Sequence, residues 1–408
     1  MKILFLSRWF PYPPDNGAKL RVYNLLQRLS IKHQVDLISF IEQDPEPSQM
    51  EIMGSMCGKI ETVLYKPFEP GSWKAILGFF SLSPRSVTDT YLPEFQHVVN
   101  DSVHSRNPDL IITCQIDMAP YARTAKSPLK ILEEIELGSL YEQYSNERHP
   151  IRRVRRGMMW WKVKNYVARL LKDFDATTVV SQIEAERIRP FLPPGHLLEI
   201  LPNAVDTNAC CTENIQAEPD MLIYTGALSF EPNFDAVRYF LGHILPYVRT
   251  RRPAVRLSVT GSIDSVPIEM LGETNGTIFT GWLEDVRPVI ARSWISVVPL
   301  RKGGGTRLKI LESLSIGTPV VSTSKGAEGL DLIPGKEILI ADDPEDFAEQ
   351  VLQLLSNPEL REELSQNGRR AVEERYDWNM VSNSLERLIE MVVLKRFEIG
   401  TTFTNQST

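Results

Sequence analysis

The chain has 408 residues, 42% of them hydrophobic and 24% charged, which suits two or three soluble domains each with its own core. A net charge of −7 excludes nucleic-acid binding by bulk electrostatics. The four cysteines (Cys57, Cys114, Cys210, Cys211) lack CxxC or metal spacing and the six histidines form no ligand pair, so reduced thiols in a cytosol and no metal site are expected.

In chain order, residues 2–7, KILFLS, form a short apolar run that reads as a first buried strand; Arg8 follows too soon for a signal core. No run approaches the roughly 18–20 apolar residues that span a bilayer, so any membrane contact is expected to be peripheral. The Pro/Gly-rich turn PYPPDNG comes next, then a helical pattern with Leu20, Leu26 and Leu29, then the strand-like QVDLISF. Strand, turn, helix, strand opens a doubly wound sheet. Further strands are expected at 108–114, 129–135 and 176–181. Residues 1–200 thus read as one α/β domain, and the Pro-rich FLPPGHLLEILPNAVDTNACC as the interdomain connection.

A second α/β series occupies 201–378, with strands expected at 221–228, 256–262, 276–282, 293–300, 318–323 and 337–342. A terminal helix is expected over 379–398 and a frayed polar tail over 399–408. Two doubly wound domains imply a cleft, because ligands of open α/β sheets sit off the carboxyl ends of the strands.

The most informative stretch is SVVPLRKGGGTRLKILESLSIGTPVVSTSKGAEG, from Ser296 to Gly329. It reads as a buried strand, the loop RKGGG, a helix beginning near Thr306, and a Gly317 cap before Pro319. Glycines let backbone approach a ligand, and a helix N-terminus offers free N–H groups to an anion. Arg307 adds a fork suited to phosphate, with Lys302 and Lys309 as point charges, so the pattern suits a diphosphate. Glu312 stands among Ile310, Leu311, Leu314 and Ile316, where a carboxylate is costly unless hydrogen-bonded; the vicinal hydroxyls of a ribose would satisfy it. The plainer alternatives are an ordinary turn and an exposed helical glutamate.

GGGTRLKILESLSIGTPVVSTSKGAEGL resembles the carboxyl-domain signature of glycosyltransferase family 4, the group 1 retaining transferases of the GT-B fold. VVSQIEAERI, LPNAVDTN, LIYTGALSFEPNFDAV, FTGWLEDV and AVEERYDW match in the family's order, over residues 10 to 385. The resemblance implies two Rossmann-like domains facing across a cleft, acceptor-side first and donor-binding second, with the terminal helix crossing back. It implies a metal-independent enzyme without a cofactor, taking a nucleotide-diphospho-sugar as donor. Gly17, Gly226, Lys302, Gly304, Gly305, Thr306 and Lys309 would bind the donor, with Gly305, Thr306 and Arg307 at the diphosphate, Leu283 and Val286 at the base and Glu312 at the ribose, and Glu312 and Arg307 as the catalytic candidates.

The chain departs from the family pattern in three places. The first of the family's two glutamates would fall on Gly304. GALSFEPN lacks the arginine and lysine that follow the domain's first strand in many members, so Arg307, Lys309 or Lys302 would replace them. The family's histidine position falls on Ile135, among Glu133, Glu134 and Glu136. Glu134 is a candidate acceptor-side contact, and those acids alternatively only decorate a strand end. Asn16 and Arg21 are further acceptor-side candidates; as a bare pattern Asn16-Gly17 is only a turn.

Residues 152–172, RRVRRGMMWWKVKNYVARLLK, hold eight Lys/Arg and no acid. On a helix, Met159, Val163, Tyr166, Val167, Leu170 and Phe174 share one stripe, with Trp161, Asn165, Arg169 and Lys172 opposite. Either this is an ordinary helix with a solvated basic back, or an anionic-membrane footing with GSWKAILGFFSLSP (71–84) as a second contact. The expectation is a cytoplasmic retaining glycosyltransferase, peripheral on the inner face of the plasma membrane, that passes sugar to a glycan or lipid-linked acceptor in bacterial exopolysaccharide or cell-envelope synthesis. A sugar-nucleotide epimerase and a non-catalytic nucleotide-sugar-binding partner are the alternatives.

Overall fold

The computed structural model describes residues 1–65, 81, 83–126, 128–208, 215–264, 266–305 and 307–404. Thr306, Cys210, Cys211 and nearly all of the apolar stretch 71–84 lie outside the described residues. The chain divides into two compact units, Met1–Pro202 with Val381–Thr408, and Asn203–Met380.

The first unit is built on β1 (Lys2–Ser7), β2 (Gln34–Ile41), β3 (Ile60–Leu64), β4 (Leu110–Cys114), β5 (Leu129–Glu133), β6 (Ala176–Val179) and β7 (Leu197–Ile200). They pair in parallel in the order β3-β2-β1-β4-β5-β6-β7. A strand inside such a sheet is covered on both faces, so it needs a nearly continuous apolar run. Ile3, Leu4, Phe5 and Leu6 supply one, each buried. The edge strands are only partly covered and carry polar residues. β3 was therefore not expected, and β7 lies in the segment read as connection. That reading is corrected: Leu197–Ile200 is a sheet strand. The strand expected over 129–135 ends at Glu133, because Glu134 turns into the left-handed region at φ 59°.

Helix α1 (Gly17–Leu29) is capped by Asn16, whose side chain accepts from the Lys19 N–H at 3.1 Å. Helix α2 (Pro150–Leu170) buries Val163, Tyr166, Val167 and Leu170, the expected stripe, but also Lys162.

In the second unit β8 (Glu218–Thr225), β9 (Arg256–Thr260), β10 (Thr277–Gly281), β11 (Ser293–Val298), β12 (Val320–Ser322) and β13 (Leu339–Ile340) form a parallel sheet ordered β10-β9-β8-β11-β12-β13. Helix α3 (Glu231–Tyr239) follows β8, and α4 (Leu308–Ile316) follows β11. Leu222, Val259, Ile295, Val297, Ile310 and Leu314 share one core, each worth about 1.5–3 kcal/mol of transfer free energy. Helix α4 starts two residues later than expected, because Arg307 (φ −85°, ψ 76°) is not helical; Gly317 ends it in the left-handed conformation. Helix α5 (Pro358–Arg375) packs on α4 at Gly368, where a Cβ would stand 2.6 Å from Leu314 Cδ2. Helix α6 (Trp378–Thr404) starts in the second unit, and from Val381 onward it belongs to the first. There it buries Leu385, Leu388, Ile389 and Val392, and Glu386 lies 3.0 Å from His33 Nε2.

Candidate active site

Strand order in the second sheet reverses between β8 and β11. In open α/β sheets the crevice off the carboxyl ends at such a switch point is where ligands bind. The two loops that meet there are Gly226–Phe230 after β8 and, before α4, residues 299–305 with Arg307. The triple-glycine bend thus occupies the switch point and leads into a helix N-terminus with no acidic residue in its first turn.

The loop's shape follows from its residues. Gly303 and Gly305 have φ of 103° and 81°, which side chains rarely adopt. Arg307 is buried, and its guanidinium donates to the Gly303 and Gly304 carbonyls at 2.6 Å each. The expectation that this fork grips phosphate is corrected in this respect: it braces the bend from inside. Arg301 and Lys302 turn toward α3. Arg301 pairs with Asp235 at 2.7 Å and stacks on Tyr239 at 4.3 Å, and Lys302 pairs with Glu231. Burial alone would raise the Asp235 carboxyl, but Arg301 and Lys302 more than offset it and hold it below the usual range. Lys302 is therefore engaged by carboxylates.

Lys309 behaves differently. Its Nζ donates to Tyr224 Oη at 2.9 Å and Asn233 Oδ1 at 3.0 Å, and lies 4.1 Å from the Tyr224 ring centroid. Among the described residues no carboxylate lies within ion-pair distance of it. Burial, then the Arg307 charge, lowers it to about 7, with Glu312 pulling the other way. Gly226 makes room for this cluster: at φ 139°, a Cβ there would stand 2.7 Å from Asn233 Nδ2 and 2.9 Å from Lys309 Nζ. Sequence reading named Lys309 and Gly226 but missed Tyr224 and Asn233, because a strand tyrosine and a helical asparagine carry no spacing signal.

Glu312 lies one turn beyond Lys309 on α4, half-buried. Its carboxylate has no hydrogen-bond partner among the described residues, and burial raises its affinity for a proton against the pull of Lys309 and Arg287. Leu283 and Val286 are half-buried in the loop after β10. The second unit thus brings together Gly226, Gly303–Gly305, Arg307, Lys309 and Glu312.

The first-unit candidates fall in separate places. Gly17 is exposed at the start of α1, and Asn16 is engaged as its cap. Arg21, expected to face an acceptor, is instead 1% exposed. It is ion-paired with buried Glu133, to which Nε donates at 2.8 Å, and it donates to the Leu201 carbonyl at 2.9 Å. Ile135 is fully buried. Glu134 is half-buried and accepts from Gln115 Nε2 at 3.1 Å. Both residues are left-handed (φ 59° and 71°) at the ends of neighbouring strands, a strained placement found at functional sites. Burial, chiefly, pushes Glu134 up to about 7, with Arg21 opposing and Glu133 adding to it. Cys114, Glu133 and Glu134 are close enough to share a cation. They do not suit one: Arg21 already holds Glu133, and burial keeps the Cys114 thiol protonated.

Solved structures share this fold. Sucrose-phosphate synthase from Thermosynechococcus elongatus superposes with a TM-score of 0.69 at 16% identity, covering 97% of this chain and 100% of that one. HepE of Anabaena, in complex with UDP and glucose, does so with 0.64 at 15% identity, covering 96% and 100%. The fold is GT-B, with two Rossmann-like α/β sheets. Residues 219–357 match the family model of the glycosyl transferases group 1, so that region is a group 1 glycosyltransferase domain. A 44.6 kDa protein in the cps region of Klebsiella pneumoniae is 21% identical over 398 residues, 94% of this chain and 98% of its own length. A glycosyltransferase of Methanocaldococcus jannaschii is 27% identical over 125 residues, 30% of this chain and 33% of its own.

Proposed function

We propose that this glycosyltransferase moves a sugar, with retention of anomeric configuration, from a nucleotide-diphospho-sugar to a glycan or lipid-linked acceptor in bacterial polysaccharide or cell-envelope synthesis. The observation that carries the reading is the pairing on α4 of a half-buried lysine without a carboxylate partner and a half-buried glutamate without any, one turn apart behind a glycine bend. A lone cation and a helix N-terminus suit a diphosphate; a carboxylate with two free oxygens suits a vicinal diol. UDP and glucose in the HepE structure and the cps-region relative support this choice of ligand and setting.

In this reading the diphosphate lies across Gly304, Gly305 and Thr306, and the ribose hydroxyls donate to Glu312. As the bond from the anomeric carbon to the leaving oxygen breaks, charge grows on the diphosphate. Lys309 and the α4 N–H groups, already in place, stabilise it without a metal. Arg307 acts through the bend it braces. Leu283 and Val286 flank the base, and Glu134 receives the acceptor side. Gly304 leaves open the space of the family's first glutamate, so backbone rather than carboxylate meets the transferred sugar.

The enzyme is further proposed to work on an anionic membrane surface. No described helix is long and apolar enough to span a bilayer. Helix α2, however, exposes Ile151 (77%), Val154 (72%), Met158 (40%) and Trp161 (51%), one stripe interleaved with arginines.

The direct test is thermal-shift screening of UDP-, GDP-, ADP- and dTDP-sugars, then product analysis with and without acceptor. One nucleotide sugar is expected to raise the melting temperature by mass action and to transfer only when acceptor is present. A changed sugar without acceptor would indicate an epimerase, and binding without turnover a non-catalytic partner.

A further inference from the structure

At the amino ends of β6 and β7 the first unit holds a pocket of about 230 Å³. Phe174 and Asp175 line it just before β6, His196 just before β7, and Lys395 and Arg396 from α6, in the part of that helix that belongs to this unit. Substrates of open α/β sheets sit off the carboxyl ends of the strands, so this pocket lies at the opposite edge and is separate from the sites discussed above. Lys172, Pro193 and Pro194 also line a groove of about 580 Å³ between α2 and residues 190–194. Pocket and groove therefore adjoin.

The two share a charge of one sign. Arg169, Lys172, Lys395 and Arg396 line them, and none has a carboxylate within ion-pair distance among the described residues. Arg169 Nε donates to the Asn165 carbonyl at 3.2 Å and Lys395 Nζ to the Gly195 carbonyl at 2.5 Å, which leaves most of their donors open. The acid that faces them, Asp175, accepts from the Lys130 backbone N–H at 2.8 Å. His196 adds no charge at neutral pH, because burial, then the Lys395 charge, lowers it to about 4. The groove's other walls are apolar, with Trp161, Ala168, Phe191 and Leu192. The outward stripe of α2, Ile151, Val154, Met158 and Trp161, continues at the same spacing through Asn165 and Ala168 to Lys172, just past the helix end. That face thus passes from apolar to cationic and ends at the pocket. On α6, Leu394 is 62% exposed beside Lys395.

This lining selects a ligand. Four cations against one acid, in a chain whose net charge is −7, select an anion. Arginine forks and lysine point charges suit phosphate. The pocket is smaller than the roughly 300–1,000 Å³ of sites for drug-sized ligands, so it takes a compact head. A free ion would leave the adjoining apolar groove empty, and a second copy of this chain would set basic α2 against like charge. An anion with an apolar tail uses both. We propose that the pocket binds the phosphate of an anionic phospholipid with a small headgroup, held by Lys172, Lys395 and Arg396, with the start of an acyl chain in the groove along Trp161, Phe191 and Leu192. The site makes one lipid a specific ligand, beyond the diffuse attraction of a charged surface. That the lipid comes from a membrane rests on the membrane reading above; binding of the lipid phosphate does not.

The test is calorimetric titration of the full chain with four soluble probes: monomeric dihexanoyl phosphatidic acid, dihexanoyl phosphatidylcholine, glycerol phosphate and inorganic phosphate. The phosphatidic acid is expected to bind about tenfold or more tighter than each of the others. The double variant Lys172→Gln, Arg396→Gln, at two exposed positions, is expected to weaken that binding about tenfold or more while its melting temperature stays within a few degrees of wild type. Val154→Glu, on the outward stripe but outside pocket and groove, is expected to leave it unchanged. No binding of the phosphatidic acid, or an unchanged affinity in the double variant, would overturn the proposal. So would glycerol phosphate or inorganic phosphate binding as tightly, which would mark an ion site only, or phosphatidylcholine binding as tightly, which would mark an apolar groove only. Phosphatidic acid binding by a protein that no anionic vesicle recovers would sink the membrane reading and leave this site standing. Recovery with phosphatidylserine vesicles without phosphatidic acid binding would do the reverse.

Discussion

Burial, and after it the Arg307 charge, lowers the Lys309 ammonium to about 7, far below its ordinary range. A bound diphosphate favours the charged form and raises the lysine's pKa. Binding therefore takes up a proton once the pH exceeds about 7, and affinity falls as pH rises from that point to the pKa of the complex, by up to about tenfold per unit. Calorimetric titration of a nucleoside diphosphate from pH 6.5 to pH 9 is expected to show that fall together with proton uptake, and Lys309→Met to bind more weakly with a flatter profile. An identical slope in Lys309→Met would place the proton elsewhere. At this scale the sequence was legible where a charge interrupts an apolar helix, which is why Lys309 and Glu312 stood out. Pairing was not legible. Arg307 beside three glycines reads as a phosphate fork, yet its donors satisfy the bend's own carbonyls, while Arg301 and Lys302 are neutralised by α3. Those partners lie 66 and 71 residues away, beyond the reach of any local pattern.

Helix α2 is the element whose pattern was only half read. Its buried stripe followed from helical spacing, because Val163, Tyr166, Val167 and Leu170 recur at three and four residues. The second stripe, Ile151, Val154, Met158 and Trp161, has the same spacing but faces outward. Spacing reveals that two apolar faces exist; only packing decides which of them is covered. Strands show the same limit, since β1 was plain from its continuous apolar run while half-covered β3 and β7 were not. Outward Ile, Val, Met and Trp among Arg152, Arg153 and Arg155 suit an acidic lipid surface, where each basic residue contributes about 1 kcal/mol. Flotation is expected to recover the protein with phosphatidylserine vesicles and not with neutral phosphatidylcholine vesicles. Val154→Glu with Trp161→Ser is expected to abolish recovery while leaving the melting temperature within a few degrees. Recovery independent of lipid charge, or unaffected by the double variant, would end the membrane reading.

Across the whole molecule, the α/β rhythm made both sheets legible, because alternating strands and helices with short turns admit few other folds. The strand order that sets the triple-glycine bend at a switch point was not readable from spacing; it comes from the crossover from β8 to β11. The central claim is that α4 holds a nucleoside diphosphate with its ribose on Glu312. It is tested most directly by measuring, for wild type and Glu312→Ala, the affinities of the best-binding nucleoside diphosphate and of its 2′,3′-dideoxy analogue. The wild type is expected to prefer the ribose form by about tenfold or more, the cost of leaving a half-buried carboxylate unsatisfied, and Glu312→Ala to bind both forms alike. A preference of the same size in Glu312→Ala would contradict the account.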